Sequence, residues 1–196
     1  MGTQTVCDGT DESTTVPVYG YNADCYQKTE FVMPATELGD MKGKPISAMQ
    51  FYLSQTANSS WGDARFRVFM KEVENPTISS YSGTEGATIV YEGALDGTQA
   101  VMTVNFTTPY IYKGGNLLIG FYEYQKGTWA SVAFSGKIID GTSIGDYSSS
   151  LDAVTATQRN FLPKTTFSYG YMSSITFAPE GYATYYDGGN RRSEER

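Results

Sequence analysis

Between residues 64 and 73 the chain alternates in side-chain character, and this alternation constrains the fold more than any other feature. Phe66, Val68 and Met70 fall on one face, while Arg65, Arg67 and Lys71 fall on the other. Successive side chains of a β-strand point to opposite faces, so one face of this segment meets a core and the other meets water. Segments of strand character recur at 16–21, 27–33, 46–53, 87–95, 100–106, 117–124, 129–138, 160–169 and 174–177. Pro17 marks the first of them as an edge or a strand start. Asp96-Gly97 and Gly114-Gly115 stand where turns are needed. Only Pro34-Ala35-Thr36-Glu37-Leu38-Gly39 reads as a helical turn, with Pro setting its start and Gly closing it. With no helices to carry parallel crossovers, the sheets are expected to be antiparallel. The expectation is an all-β, two-sheet antiparallel β-sandwich of about ten strands with one short helical turn.

Composition agrees with this reading. Aromatics make up 14% of the 196 residues, 16 of them Tyr, and there are 21 Gly. Aromatic residues suit a half-buried pleated surface and Gly suits the turns between strands. The chain is long enough to bury a sizeable core without metals or dense disulfides. Residues 1–177 read as one sandwich domain. Beyond them, Ala178-Pro179-Glu180-Gly181 looks like a linker and residues 181–186 like the start of another strand. Residues 187–196 are polar, Gly-rich and charged, so 178–196 is read as a linker, the start of a following module or a disordered tail.

Charge and residue inventory exclude several functions. A formal charge of −7 argues against a nucleic-acid backbone or an anionic membrane as partner, because both require a basic patch. No apolar run approaches the roughly 20 residues needed to span a bilayer. Met1-Gly2-Thr3-Gln4 has neither a basic start nor an apolar stretch, and reads as a start put in place of a removed leader. The chain has no His, so it holds neither a Ser-His-Asp nor a Cys-His nucleophile and no Cys/His zinc site. Cys7 and Cys25 are the only cysteines. Two unrelated thiols are the first reading and a short-loop disulfide the second, which requires their Cα atoms within about 7 Å. Glycoside hydrolysis requires two carboxylates facing across a cleft. Glu30, Glu37, Glu123, Asp140 and Asp146 are available, but no spacing singles out a pair among 21 acidic residues.

Two constellations point to binding. In Asn58-Ser59-Ser60-Trp61-Gly62-Asp63 a Trp stands in a polar turn between two strands. Sugar rings offer flat C–H faces that stack on such a ring, while Asn58 and Asp63 can bond hydroxyls. For Trp61, platform and core plug are weighed equally. Trp129, which follows Gly127-Thr128 at an expected strand start and shares a face with Tyr122 and Tyr124, reads first as a plug of the core and second as a ligand contact. Asp8-Gly9-Thr10-Asp11-Glu12 gathers carboxylates that suit calcium, with Asp8 and Asp11 as candidate ligands. It lacks the EF-hand spacing, and a solvated acidic segment needing no cofactor is the simpler account.

Val6-Cys7-Asp8-Gly9-Thr10, Val16-Pro17-Val18-Tyr19-Gly20-Tyr21, Gly115-Asn116-Leu117-Leu118-Ile119-Gly120 and the stretch 157–167 resemble a recurrent β-module of multidomain extracellular proteins from Bacteroidetes-type bacteria. The similarity runs from about Val6 to Tyr169, and residues 181–186 are similar to the opening of a module that often follows. The resemblance implies a jelly-roll-like sandwich, export to the cell surface or medium, neighbouring β-modules in the parent chain, and a role in adhesion, glycan contact or display. It supplies no catalytic motif. The resulting expectation is a non-catalytic, secreted or surface binding and adhesion module whose partner is a glycan or a host or cell-surface protein. The alternative is a structural spacer without a ligand of its own, with a glycoside-acting enzyme ranked below both.

Overall fold

A computed structural model describes residues 1–170. Twelve strands form in chain order: β1 (Gly2–Val6), β2 (Asp11–Ser13), β3 (Tyr26–Met33), β4 (Pro45–Gln55), β5 (Arg65–Val73), β6 (Thr88–Gly93), β7 (Val101–Ile111), β8 (Asn116–Gln125), β9 (Ala133–Ile138), β10 (Ser143–Ser148), β11 (Phe161–Pro163) and β12 (Thr165–Tyr169). They build two sheets in which every strand pair is antiparallel. A five-stranded sheet runs β10-β3-β8-β5-β6. A seven-stranded sheet follows β1-β12-β4-β9-β11, with β2 on β9 and β7 on β4. After β2 most connections cross from one sheet to the other, so the sandwich is an interleaved one. The two-sheet, all-β expectation is met.

The alternation read in the sequence sorts the five-stranded sheet. Phe66, Val68 and Met70 of β5 join Phe31 and Met33 of β3 and Leu117, Ile119 and Phe121 of β8 in one buried core. Phe31 and Phe121 stack at 6.3 Å, and Phe51 of β4 meets Phe121 edge-on at 5.6 Å, so aromatic rings join the sheets. Each such side chain contributes about 1.5–3 kcal/mol by leaving water. The other face of the same sheet is also covered. Val32, Phe69, Leu118 and Tyr122 form a second buried cluster, packed by Ile78 and Ala87 from the segment between β5 and β6. Gly120 is required there: a Cβ would lie 2.1 Å from the Phe69 ring.

Several expectations need correction. Residues 16–21 form no strand; Val16 and Val18 are buried in an irregular segment ending in a 3-10 turn at Gly20–Asn22. Pro17 has no N–H for a ladder, and the backbone N–H and C=O of Tyr19 bond the Gln27 side chain instead. The single helical turn at 34–39 becomes two 3-10 turns, Ala35–Glu37 and Gly39–Met41, and a further one lies at Leu151–Ala153. Strand β9 starts at Ala133, four residues later than read, which leaves Trp129 in a loop. The stretch 160–169 breaks at Lys164 into β11 and β12. Cys7 is buried and Cys25 partly so, and the two thiols are not bonded. Burial pushes the Cys7 thiol up to about 11. The expected strand at 174–177, the boundary at 177 and the segment 178–196 lie outside the described residues.

Candidate functional site

Three connecting loops meet at one end of the sandwich: 14–25 between β2 and β3, 56–64 between β4 and β5, and 126–132 between β8 and β9. Their backbones are tied to one another. Ala130 N–H donates to Gly20 O at 2.9 Å, Gly127 N–H to Ala23 O at 2.9 Å, and Thr128 N–H to Trp61 O at 2.8 Å. Trp61 stands at the centre of these ties. Its ring is 2% exposed, packs 6.1 Å from Phe66, and donates from Nε1 to Ala130 O at 2.9 Å. The loops close on it tightly: a Cβ at Gly20 would meet Ala130 O at 2.3 Å and Trp61 Nε1 at 3.0 Å. The reading of Trp61 as an exposed platform is therefore corrected. A polar turn carries it, but the indole folds inward because the sandwich end offers both an apolar wall and a carbonyl for its N–H.

The exposed ring is the other tryptophan. Trp129 is 54% exposed and Tyr21 57%, and their rings meet at 5.3 Å with an interplanar angle of 60°. The expectation that Trp129 plugs the core is corrected as well. Large exposed rings held together on ordered loops are unusual, since aromatic area is costly to leave in water. Three clefts surround this ridge. One of about 510 Å³ is lined by Trp129, Asn58, Ser59, Gln55, Thr128 and Ser131. A second of about 290 Å³ is lined by Tyr21, Tyr19, Thr14, Gln55 and Ser131. The third, about 200 Å³, lies between both rings, Asn22 and Asp24. Asn58 and Trp129, which the sequence assigns to separate constellations, thus line one cleft. Asp63 does not line these clefts; it is exposed, and its carbonyl accepts from Gln125 Nε2 at 2.6 Å. Tyr21 and Asp24 were missed, although a Tyr-Gly-Tyr-Asn run followed by Ala-Asp is as turn-like as the segment around Trp61.

A buried polar strut lies beneath the loops. Gln27 of β3 holds Tyr19 by its backbone N–H at 2.8 Å and its C=O at 3.1 Å, and donates to Glu123 Oε1 of β8 at 3.0 Å. Glu123 is fully buried and its Oε2 has no partner. Burial, with the Asp24 charge adding to it against the Gln27 hydrogen bond, pushes its carboxyl up to about 9. Glu123 is therefore a neutral acid at neutral pH. Glu30 lies on the opposite face of the same sheet, where it accepts from Ser82 N–H at 2.8 Å, Gly83 N–H at 3.0 Å and the Tyr122 hydroxyl. Asp146 pairs with Arg159 at 3.6 Å and Glu37 stands on the surface. None of these carboxylates lines the clefts around the ridge.

The calcium candidates have internal partners. Asp8 pairs with Lys164 Nζ at 3.2 Å, and Asp11 Oδ2 accepts from Ile138 N–H at 2.9 Å. Among the described residues, no three acidic or thiol side chains gather as a metal site. A further cleft, about 240 Å³ between Val32, Leu118 and the 74–82 segment, offers no exposed ring. No described helix is long and apolar enough to cross a membrane. The chain matches no known family model, no curated protein and no solved structure.

Proposed function

We propose that the protein is a non-catalytic, extracellular glycan-binding module whose binding surface is the Tyr21–Trp129 ridge and the polar clefts beside it. One observation carries this reading: two aromatic rings, each more than half exposed, are held in contact on loops fixed by backbone hydrogen bonds. Sugars present C–H faces that stack on such rings, and the amide and hydroxyl groups of Asn22, Asn58, Gln55 and Ser131 supply donors and acceptors for ring hydroxyls. Binding surfaces of this kind sit on loops anchored to a rigid scaffold, as here. The resemblance to surface modules of Bacteroidetes-type bacteria supports the same role in a secreted or cell-surface chain, beside other β-modules.

A glycan array probed with the intact chain and with Trp129→Ala tests the reading. Binding to at least one glycan class is expected, reduced roughly tenfold or more by the substitution, as removal of a stacking anchor does. Absence of glycan binding by a folded chain, or binding indifferent to both Trp129→Ala and Tyr21→Ala, refutes it. Such a chain is instead a spacer or a contact for protein partners.

A further inference from the structure

We infer that the ridge selects an uncharged, soluble oligosaccharide chain, contacting two sugar units at once, and rejects both anionic glycans and flat crystalline polysaccharide. This rests on the glycan-binding reading and specifies its substrate class. The first ground is the angle between the rings. At 60° and 5.3 Å, the Tyr21 and Trp129 faces are not coplanar and cannot lie together on one flat surface. Each ring instead offers its own face to a separate sugar unit, which a twisted, flexible chain in solution can satisfy. The clefts on either side, with Ser59 and Asn58 beside Trp129 and Thr14 beside Tyr21, leave room for the units that follow.

The second ground is charge. The three clefts contain no Lys or Arg among their linings. The charged side chain at the ridge is Asp24, exposed in the cleft between the two rings. Lys126, the first residue of the Trp129 loop, lies over the Tyr26 ring at 5.6 Å. Arg159 lies over the Tyr19 ring at 5.6 Å and pairs with Asp146 at 3.6 Å; neither cation lines the clefts. Carboxylates and sulfates are recognised by guanidinium and ammonium groups, which bond them directly. A uronic acid or sulfated sugar here would meet Asp24 with no Lys or Arg in the cleft linings to bond it, on a chain of net charge −7. A neutral sugar brings hydroxyls that Asp24 and Asn22 can accept from or donate to.

The test is calorimetric titration of the intact chain with soluble neutral hexasaccharides (glucan, xylan, mannan and chitin-derived). Galacturonan and heparin hexasaccharides form the second arm, and co-sedimentation with crystalline cellulose and chitin the third. Neutral soluble chains are expected to bind, a hexasaccharide more tightly than its disaccharide. Anionic chains are expected to bind at least about tenfold more weakly, with the gap narrowing in Asp24→Asn. The crystalline solids are expected to leave the protein in the supernatant. Equal or tighter binding of the anionic chains, or retention on the solids that Trp129→Ala abolishes, overturns the inference while leaving glycan binding intact. A folded chain that binds nothing in any arm overturns the inference and the reading beneath it together.

Discussion

Two regions of this sandwich place aromatic residues against polar, turn-rich loops, and they treat them oppositely. On the outer face of the five-stranded sheet, Phe69, Tyr122, Val32 and Leu118 are buried beneath the segment between β5 and β6. At the loop end, Tyr21 and Trp129 stand in water. The difference lies in where the loop backbones send their hydrogen bonds. In the first region, the amides of Ser82 and Gly83 reach down to Glu30 on the sheet, and the Tyr81 hydroxyl bonds Thr155 O at 2.8 Å. The loop is drawn onto the sheet, and Lys28 sits over the Tyr81 and Tyr122 rings at 5.0 and 5.2 Å. In the second region the loops bond one another through Gly20, Ala23, Thr128 and Ala130, and the buried Trp61 fills the space below. Their polar groups are satisfied without covering Tyr21 and Trp129. An aromatic residue in a polar loop is therefore hidden or displayed by the backbone's bonding partners, not by its neighbours in sequence.

This contrast is open to direct attack. The largest effect is expected for Trp61→Ala, which empties the space under the loop end and orphans the Ala130 carbonyl. It should cost about 3–5 kcal/mol in a urea unfolding curve and abolish glycan binding with it. A loss below about 1 kcal/mol would mean that Trp61 does not hold the loops. Next comes Glu30→Gln on the other face, which keeps the shape but removes the charge that two amides and a hydroxyl bond. A loss of about 2 kcal/mol with unchanged glycan affinity is expected, and a parallel loss of affinity would show that the two regions are coupled.

The pH dependence of stability is a smaller effect per step. The Glu123 carboxyl titrates near its ordinary value when unfolded and at about 9 when folded. Between those values the folded state holds the extra proton, so stability is fullest at the acidic end and falls as pH rises. The slope is at most about 1.4 kcal/mol per pH unit, and Glu123→Gln should flatten it. A stability that rises across this window would show that Glu123 is not a buried neutral acid. The smallest effect is that of Trp129→Ala on folding, within about 0.5 kcal/mol of the parent, because the ring buries little. A loss comparable to that of Trp61→Ala would erase the distinction between the two tryptophans.

The core was legible in the sequence because its strands carry the signal burial leaves: β5 and β8 alternate or run apolar, and both form where expected. Three strands left no such mark. Strands β1 (GTQTV), β2 (DES) and β10 (SIGDYS) are short or polar, each beginning or flanking a sheet edge, and they form because the partner strand offers open backbone groups. The site was half legible. Asn58 and Trp129 could be singled out by residue type, but exposure could not: residue type leaves Trp61 open between platform and plug and favours the core for Trp129, which stands 54% exposed. What decides it is the hydrogen bond from Trp61 Nε1 to a carbonyl 69 residues away, which no local pattern encodes. Tyr21 and Asp24 join the site only through the same long-range ties.

The two tryptophans also provide the most direct measurement. A two-dimensional NMR spectrum of the isotope-labelled chain contains one indole N–H signal from each. The buried Trp61 proton, bonded to Ala130 O, should exchange slowly with solvent, and the exposed Trp129 proton rapidly. On titration with the neutral hexasaccharides, the Trp129 signal should shift progressively and saturate while the Trp61 signal holds its place or follows weakly. Slow exchange of the Trp129 proton, or a saturating glycan that leaves the Trp129 signal unmoved, would contradict the account.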